Sequence, residues 1–322
     1  MENISVKGLG SYSPEDSIDN EYIGRFVETS DEWIVERTGI KRRRLSRGED
    51  TSEMARKAAE KALEDAGISP EEIGLLIVAT VTPDTFVPST ASLLQETLGA
   101  KNAICFDLVA ACSGFIYGMD LASKYMQGSD IRYALIVGAE TLSKIVDWED
   151  RNTCVLFGDG AGAAVLEKGE KKGILASYLG SKPDAGKSLH MRARPVSNIL
   201  AKSEESEQFL EMNGREVFKF AVGILPKCIR KVLDVSGMRI EDIDYIVPHQ
   251  ANYRIISSVA DKTGLPPEKF FMNLEQVGNT SSASIGLALD EMKQKGLLKR
   301  GMKIILAGFG GGLTWGALLI EW

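Results

Sequence analysis

Hydrophobic positions along the chain alternate between a spacing typical of helices and one typical of buried strands. Apolar residues three or four positions apart predict helices over 19–37 and 51–67. Residues 3–12 are expected to form a first strand. The near-continuous apolar run at 73–81 is typical of a parallel strand covered on both faces. This alternation of helices and buried strands predicts an α/β fold with a mostly parallel sheet.

The same order of elements recurs in the second part of the chain. Three pairs of matching positions are each 170 residues apart: Gly67 and Gly237, Ile73 and Ile243, Gly138 and Gly308. The segment that begins at 99 and leads to Cys112 matches 264–279, with a corresponding strand expected at 270–274. The repeat predicts two copies of one α/β unit, 1–170 and 171–322, that pack around a pseudo-twofold axis.

Two stretches depart from the regular pattern. Pro226 lies inside the helical pattern at 216–236, and a proline there is expected to kink or split the helix. Residues 180–212 contain Gly, Pro and charged residues without clear periodicity. We expect this second stretch to be rich in loops and to form a lid or an entrance wall.

The composition is that of an ordinary globular chain, with 322 residues, 44% hydrophobic and 26% charged. A net charge of −7 and a pI of about 5.2 do not suggest a nucleic-acid-binding protein, which usually carries a basic patch. The sequence shows no signal peptide and no run long enough to span a membrane, so we expect a cytoplasmic protein without membrane insertion. Four widely spaced cysteines indicate neither a metal site nor a disulfide framework: Cys105, Cys112, Cys154 and Cys228.

Cys112 follows a strand-like run and precedes a helical pattern, which places its sulfur near a helix N-terminus. The N–H groups and the dipole at such a position favour thiolate over thiol, so Cys112 is a candidate nucleophile. The alternative is a small core residue, the usual role of a free cysteine. The helix that follows is predicted to use these residues as its apolar face: Tyr117, Met119, Leu121, Ala122 and Tyr125.

His249 and Asn279 are the candidate partners of Cys112. His249 ends a strand pattern that corresponds to 73–81, and Asn279 follows the segment that corresponds to the one before Cys112. Sites in parallel α/β sheets lie at the carboxyl ends of strands, so the three side chains are expected to meet where the two copies join. The other histidine, His190, falls in the loop-rich stretch and is expected to be incidental.

Cysteine, histidine and asparagine together serve two kinds of chemistry. Papain-like hydrolases use them, but the repeated α/β pattern does not fit that fold. Enzymes that form carbon–carbon bonds on thioesters also use them. There, cysteine accepts an acyl group, while histidine and asparagine stabilise the enolate of a second thioester. The glycine-rich run at 309–312 contains no nucleotide-binding motif, but it offers backbone N–H groups to an oxyanion.

Over nearly its whole length the chain resembles the β-ketoacyl-acyl-carrier-protein synthase III family of thiolase-fold condensing enzymes. The matching segments are 29–34, 37–40, 111–115, 157–163, 248–252, 278–281 and 310–316. Each segment alone is a weak signal, but together they are highly specific. The resemblance implies a thiolase-like fold in which the two halves form a layered αβαβα arrangement.

The resemblance also implies a two-stage reaction. Cys112 takes an acyl group from acyl-CoA, and free CoA leaves. Malonyl-acyl-carrier-protein then loses CO2 while His249 and Asn279 stabilise the enolate, which attacks the acyl group and gives β-ketoacyl-acyl-carrier-protein. The backbone N–H groups of Cys112 and Gly311 would form the oxyanion hole. The reaction needs no metal and no cofactor besides the coenzyme A thioester substrate.

By the same resemblance the protein is a homodimer with a CoA channel and a carrier-protein docking surface. Trp33 and Arg151 match positions that sandwich the CoA adenine. The rest of the CoA path matches Thr29, Arg37, Asn213, Gly214 and Asn252. The carrier protein is acidic, so basic residues near the mouth are expected to dock it: Lys219, Arg254 and Lys262.

One position bears on the choice of primer. Family members often carry phenylalanine at the end of the acyl pocket, contributed by the partner subunit, and this chain has Val87 there. The smaller side chain predicts room for branched or longer primers. The alternative function is a related condensing enzyme of secondary metabolism with another primer or acceptor. A degradative thiolase is disfavoured because no cysteine follows Cys228, and a non-catalytic subunit because Cys112 is present.

Overall fold

The computed structural model describes residues 3–184, 187–193, 195–203 and 208–322. Its strands are β1 (Asn3–Tyr12), β2 (Ser17–Asp19), β3 (Arg42–Arg44), β4 (Ile73–Ala79), β5 (Ile104–Leu108), β6 (Tyr133–Glu140), β7 (Gly160–Gly169), β8 (Ile174–Ser181), β9 (Leu189–His190), β10 (Glu211–Met212), β11 (Tyr245–Pro248), β12 (Lys303–Gly310) and β13 (Thr314–Glu321). Its α-helices are α1 (Asn20–Ile23), α2 (Asp31–Thr38), α3 (Thr51–Ala66), α4 (Thr90–Leu98), α5 (Gly114–Gln127), α6 (Arg151–Cys154), α7 (Gly214–Ser236), α8 (Tyr253–Thr263), α9 (Leu274–Val277) and α10 (Ser284–Gln294).

Two sheets with matching topology form the frame of the molecule. The larger sheet has the order β1-β7-β6-β4-β5, and the second has the order β8-β13-β12-β11. In the larger sheet β4 is parallel to β5 and β6, whereas β7 is antiparallel to β1 and β6. In the second sheet β11 is parallel to β12, and β13 is antiparallel to β8 and β12. Strand order and direction therefore agree between the two copies that the sequence repeat predicts.

Three hydrophobic cores stack the elements into five layers. Helices α3 and α4 pack on the outer face of the larger sheet, where Met54 contacts the core around Leu76. Helices α5 and α10 fill the space between the two sheets, with Phe115 and Leu289 fully buried. Helices α7 and α8 cover the outer face of the second sheet, where Ile229 is fully buried. The order is αβαβα, as the resemblance implies. Within the described residues, no helix has the length and apolarity that crossing a bilayer requires.

The fifth strand predicted in the second copy is not formed, and this part of the prediction is wrong. Residues 270–274 contribute only an isolated parallel bridge between Phe270 and Ile246. The side chain of Gln250 takes the place of a neighbouring strand, since its Nε2 donates to Phe271 O at 3.1 Å and its Oε1 accepts from Asn273 N at 3.1 Å. A side chain thus satisfies backbone groups that a sheet ladder would otherwise satisfy.

The helix predicted over 19–37 is two shorter helices, α1 and α2, with a loop between them. Helix α1 ends at Ile23 and is capped by Gly24. Ser30 Oγ then accepts a hydrogen bond from Trp33 N at 3.2 Å and caps the start of α2. A serine in this role favours a helix start over a helix interior, which the apolar spacing alone does not reveal.

The described residues within 180–212 contain little regular structure, as predicted. In the part that the structure describes, β8 ends at Ser181, and β9 pairs with β10 in a two-stranded ribbon. The role of this stretch as a lid or an entrance wall stays a prediction.

Pro226 lies inside α7, which is continuous from Gly214 to Ser236, so of the two predicted outcomes, a kink or a split, the split does not occur. Proline lacks the N–H that would donate to the carbonyl four residues earlier. That carbonyl belongs to Val222, and Lys262 of α8 donates to it with an Nζ to O distance of 2.8 Å. The lysine therefore supplies the donor that the proline cannot.

The hydrogen bond between Lys262 and the Val222 carbonyl can be tested with a double-mutant cycle. Lys262→Met is expected to lower the free energy of unfolding by about 1 kcal/mol, because the Val222 carbonyl loses its donor. In a Pro226→Ala background the restored backbone N–H reaches the same carbonyl, so Lys262→Met is expected to cost much less there. Urea unfolding of the four proteins, followed by circular dichroism, measures both costs. Equal costs in the two backgrounds would contradict this role for Lys262.

Candidate active site

Cys112 lies in a tight turn between β5 and α5. The turn Ala111–Ser113 is one turn of 3-10 helix, and its first residue, Ala111, has a φ of 46°. Cys112 is 7% exposed, and its thiol forms a hydrogen bond with the Ser281 side chain. The nucleophile candidate of the first half thus touches the second half directly.

The protonation state of Cys112 differs from the one predicted. Burial raises the pKa of the thiol to about 12; the hydrogen bond with Ser281 acts in the opposite direction, and negative charge on Glu140 adds to the increase. A thiolate in this enclosed turn loses more hydration than the helix start and Ser281 replace. The expectation that the helix start favours thiolate is therefore wrong for the resting site, where the thiol form dominates.

His249 follows β11 and is held by both its backbone and its ring. Its N–H donates to Ala307 O at 2.8 Å, which extends the sheet pairing by one residue. Its Nδ1 lies 2.8 Å from Ser284 Oγ, and its ring packs edge-on against Phe309 with the centroids 5.6 Å apart. Burial lowers the pKa of His249 to about 3, so the ring is neutral.

Asn279 is fixed by hydrogen bonds on three sides. Its N–H donates to Leu156 O at 2.9 Å, and its carbonyl accepts from Gly158 N at 3.0 Å. Its side-chain Oδ1 accepts from Ser281 N at 2.9 Å. Because the oxygen of the amide is used in this way, Nδ2 is the group that Asn279 can offer to a substrate.

The structure brings Cys112, His249 and Asn279 to one place, as predicted. A Cβ built at Gly308 would lie 3.6 Å from His249 Cβ and 3.7 Å from Cys112 O. Ser281 links Cys112 to Asn279, since its side chain contacts the Cys112 thiol and its N–H donates to Asn279 Oδ1. Cys112 and His249 follow strands β5 and β11, whereas Asn279 follows the short helix α9, and all three lie where the two halves meet.

The glycine-rich end of β12 approaches the backbone of Cys112. A Cβ at Gly310 would lie only 2.7 Å from Cys112 N, so a side chain there would displace the turn. Gly311 is the next residue, and a Cβ built on it would lie 3.2 Å from Leu189 O. The two N–H groups predicted to form the oxyanion hole, those of Cys112 and Gly311, thus belong to adjoining backbone segments.

Four of the predicted CoA-binding residues form one cluster on the surface. The guanidinium carbons of Arg37 and Arg151 lie 4.7 Å and 4.8 Å from the centroid of the Trp33 ring. Asn252 caps α8 and donates its Nδ2 to Arg37 O at 3.0 Å. An aromatic face flanked by two cations is suited to a negatively charged ligand that carries a planar ring.

The other predicted CoA-binding residues lie beside this cluster or at the start of α7. Thr29 Oγ1 is shielded from solvent and has no hydrogen-bond partner among the described residues. Asn213 caps α7 and donates its N–H to Ser188 O at 2.7 Å, and Gly214 is the first residue of that helix. This end of α7 adjoins β9, which contacts the glycine-rich end of β12.

The remaining predicted residues lie on the surface. Lys219 of α7 and Arg254 of α8 are exposed. Lys262 is also exposed, but its ammonium bonds to Val222 O and so takes part in helix packing. Val87 is 87% exposed, so the chain does not bury it in its own site.

Three buried residues that hold the site were not predicted: Glu140, Ser281 and Ser284. Glu140 ends the otherwise apolar strand β6, and a charged residue at a fully buried position is a recognisable signal. The two serines lie in the serine-rich stretch 280–284, at the repeat counterpart of the Cys112 turn. The sequence contained both signals, but only the structure shows what they contact.

Comparisons with known proteins agree on one family. Residues 106–183 match the family described as 3-Oxoacyl-[acyl-carrier-protein (ACP)] synthase III, and residues 233–322 match the description of its C-terminal part. The Beta-ketoacyl-[acyl-carrier-protein] synthase III of Clostridium acetobutylicum is 53% identical over 323 aligned residues, which cover 100% of this chain and 99% of that protein.

Solved structures give the same result. The 3-oxoacyl-[acyl-carrier-protein] synthase III from Aquifex aeolicus superposes with a TM-score of 0.92 at 44% identity, covering 99% of this chain and 100% of that one. The priming beta-ketosynthase of the R1128 polyketide pathway superposes with a TM-score of 0.92 at 35% identity, covering 99% and 96%. With matches of this extent in both sequence and structure, the chain belongs to the 3-oxoacyl-[acyl-carrier-protein] synthase III family and has its thiolase-like fold.

Proposed function

We propose that this chain catalyses the initiating condensation of fatty acid synthesis, in which acyl-CoA and malonyl-acyl-carrier-protein give β-ketoacyl-acyl-carrier-protein, CoA and CO2. The observation that carries the proposal is the meeting of Cys112, His249 and Asn279 in one buried site. Membership in the family supports these substrate classes. A cytoplasmic location fits the four cysteines, which are all free.

The first stage transfers the acyl group to Cys112. The sulfur attacks the thioester carbonyl, a new carbon–sulfur bond forms, and the bond to CoA breaks. The thiol proton ends on the departing CoA sulfur. The N–H groups of Cys112 and Gly311 stabilise the oxyanion that forms on the way. The thioester is itself an activated acyl donor, so this scheme involves no metal or further cofactor.

The second stage makes the carbon nucleophile. The malonyl group loses CO2, and the electron pair of the broken bond moves towards the thioester carbonyl. His249 Nε2 and Asn279 Nδ2 donate hydrogen bonds to the resulting enolate oxygen. Ser284 Oγ accepts from Gln250 N at 3.4 Å and lies 2.8 Å from His249 Nδ1. In the proposed reaction the Ser284 hydroxyl donates to Nδ1, which places the ring hydrogen on Nε2.

Condensation then joins the two groups. The enolate carbon attacks the acyl carbonyl on Cys112, and the bond between that carbonyl and the sulfur breaks. The sulfur regains a proton from solvent, and the product leaves on the carrier protein. In this scheme the first half, 1–170, carries the acyl group, and the second half, 171–322, supplies the groups that form the nucleophile.

The substrates reach this site along the surface cluster around Trp33. The adenine of CoA stacks on Trp33 beside Arg151. It replaces part of the contact between the Arg151 guanidinium and the Trp33 ring, whose centroid is 4.8 Å from the guanidinium carbon. The phosphates and the pantetheine arm pass the remaining residues of the path: Thr29, Arg37, Asn213, Gly214 and Asn252. The acidic carrier protein docks on the basic side chains of α7 and α8: Lys219, Arg254 and Lys262.

A homodimer formed along β5 completes the acyl pocket. Strand β5 is an edge of the larger sheet, and exposed apolar side chains lie on it, after it, on α5 and in the 85–89 segment: Ile104, Val109, Leu121, Tyr125, Phe86 and Val87. Such an edge with apolar flanks is suited to pairing with a second copy. Pairing there would cover Leu121 and Tyr125, which were predicted to belong to the apolar face of α5 and are 36% and 40% exposed in one chain. It would also bring Val87 to the partner's pocket.

Incubation with acetyl-CoA is expected to add one acetyl group to the protein, because the Cys112 thiol is the acceptor. Cys112→Ala is expected to add none, whereas Cys105→Ala, which changes a partly buried cysteine bonded to Gln95, is expected to react normally. Intact-mass spectrometry measures the adduct. The absence of an adduct with any acyl-CoA would count against the proposed reaction.

The same assay with isobutyryl-CoA tests the pocket and the dimer. Val87→Phe is expected to slow isobutyryl transfer about tenfold and to leave acetyl transfer nearly unchanged, because the larger ring shortens the partner's pocket. An equal rate of isobutyryl transfer in both proteins would show that Val87 does not line a pocket.

His249→Ala and Asn279→Ala are expected to lower condensation about 100-fold or more, because each removes a donor to the enolate oxygen. Both variants are expected to retain Cys112 acylation. His190→Ala serves as the control, since it changes the other histidine. Product formation from malonyl-acyl-carrier-protein is measured beside the acyl adduct. Full condensation activity in either variant would refute the role of that residue.

The alkylation rate of Cys112 is expected to rise continuously with pH. The pKa of the thiol is raised to about 12, so the reactive thiolate is scarce at neutral pH and increases with each pH step. Rates with iodoacetamide from about pH 6 to about pH 9, resolved by peptide mass, are expected to show no plateau. A plateau near neutral pH would identify a resting thiolate instead.

A further inference from the structure

Glu140 is a fully buried carboxyl group to which the proposed reaction assigns no role. It ends β6 and has 0% exposure. Its Oε2 faces the first half, where it accepts hydrogen bonds from Val81 N at 3.1 Å and from Thr82 Oγ1 at 2.6 Å. Thr80 Oγ1 lies 3.2 Å from the same oxygen. One side of the carboxyl group is thus tied to the end of β4.

The other oxygen of Glu140 faces the second half. Its Oε1 lies 3.1 Å from Ser281 Oγ and 2.9 Å from Ser282 Oγ. Ser281 is the residue whose N–H bonds to Asn279 Oδ1 and whose side chain contacts the Cys112 thiol. Glu140 therefore holds the turn that orients the Asn279 amide.

The hydrogens available at this carboxyl group indicate that it carries a proton. Ser282 Oγ lies 2.7 Å from Ala79 O and 2.9 Å from Glu140 Oε1. A hydroxyl has one hydrogen, and the Ala79 carbonyl can only accept. When the hydrogen of Ser282 is used for Ala79, the contact with Glu140 becomes a hydrogen bond only if Oε1 is the donor.

The groups around Glu140 also favour its protonated form. Burial raises the pKa of Glu140, and the groups that oppose the increase are neutral, namely the side chains of Thr82, Ser282 and Ser281 and the N–H of Val81. The titratable thiol of Cys112 lies near Glu140, and a charged Glu140 would disfavour its thiolate. A negative charge here would also oppose the enolate of the proposed reaction.

We propose that Glu140 is a neutral carboxylic acid that acts as a positioning residue, holding the 279–282 turn in the geometry that decarboxylation requires. The proposal rests on the proposed function of Asn279. It extends that function to a residue that does not contact the substrate.

The internal repeat supports this assignment. Residue 310 is the counterpart of residue 140, and the turn Ser281–Ala283 is the counterpart of Ala111–Ser113. The first residues of the two turns have φ values of 48° and 46°. In the second half Gly310 has no side chain, so the backbone of Cys112 fits against it. In the first half the Glu140 side chain binds the corresponding turn and fixes it.

Two substitutions separate the charge of Glu140 from its hydrogen bonds. Glu140→Gln keeps the shape and a neutral donor and acceptor, so condensation is expected to remain within about threefold of the wild type. Glu140→Ala leaves the serines of the turn without their partner, so condensation is expected to fall about 10–100-fold. Acylation of Cys112 by acetyl-CoA is expected to persist in both. Asp290→Asn is the control, because it changes a buried carboxyl group that is bonded to Ser11 and Gln294.

Each outcome bears on the proposal. Equal losses in Glu140→Gln and Glu140→Ala would show that the carboxylate charge is needed, and full condensation in Glu140→Ala would show that the turn does not depend on it. Either result overturns the proposal. If Glu140→Ala does not fold, infrared difference spectra of the wild type and Glu140→Gln decide. A carboxylic-acid carbonyl band at neutral pH supports the proposal, and its absence overturns it. A wild type that is never acylated would refute the function of Cys112 and leave the infrared result valid.

Discussion

Backbone packed directly against backbone at the centre of the molecule is the constraint on which the site depends. The turns Ala111–Ser113 and Ser281–Ala283 come from different halves and meet between the ends of the two sheets. A Cβ at Gly138 would lie 2.2 Å from Ser282 O, and one at Gly310 would lie 2.7 Å from Cys112 N. Strand ends without side chains let the two turns approach this closely. The polar groups brought inside must then bond to one another.

Burial at this junction also decides the charges of the resting site. It raises the pKa of Cys112 to about 12, lowers that of His249 to about 3 and raises that of Glu140. All three shifts favour the neutral form, because burial penalises any charge. In the proposed reaction, negative charge develops only on the substrate and on sulfur. Fixed N–H and amide donors that need no reorganisation receive it there.

The sequence was sufficient for the parts of the structure that depend on long-range pattern. The 170-residue shift predicted two copies with one topology, and strand ends in matching positions predicted that Cys112, His249 and Asn279 meet. It was insufficient where one tertiary contact overrides a local rule. Pro226 is tolerated because Lys262 bonds to Val222 O, and 270–274 forms no strand because Gln250 replaces the ladder. The predicted thiolate of Cys112 was wrong because helix position was visible in the sequence, whereas the depth of burial was not.

The two halves share a backbone design but differ in side chains at equivalent positions, and the site arises from that difference. Where the first half has Cys112, the second has Ser282, whose hydroxyl is 2.7 Å from the Ala79 carbonyl and is used for structure. Where the second half has Gly310, the first has Glu140, which fills the space and ties down the opposite turn. The acyl group on Cys112 needs open space beside its turn, whereas the Asn279 amide needs a rigid turn next to it. The different residues at the pairs Cys112/Ser282 and Glu140/Gly310 meet both needs. One of the two duplicated turns can therefore carry the acyl group while the other holds Asn279 in place.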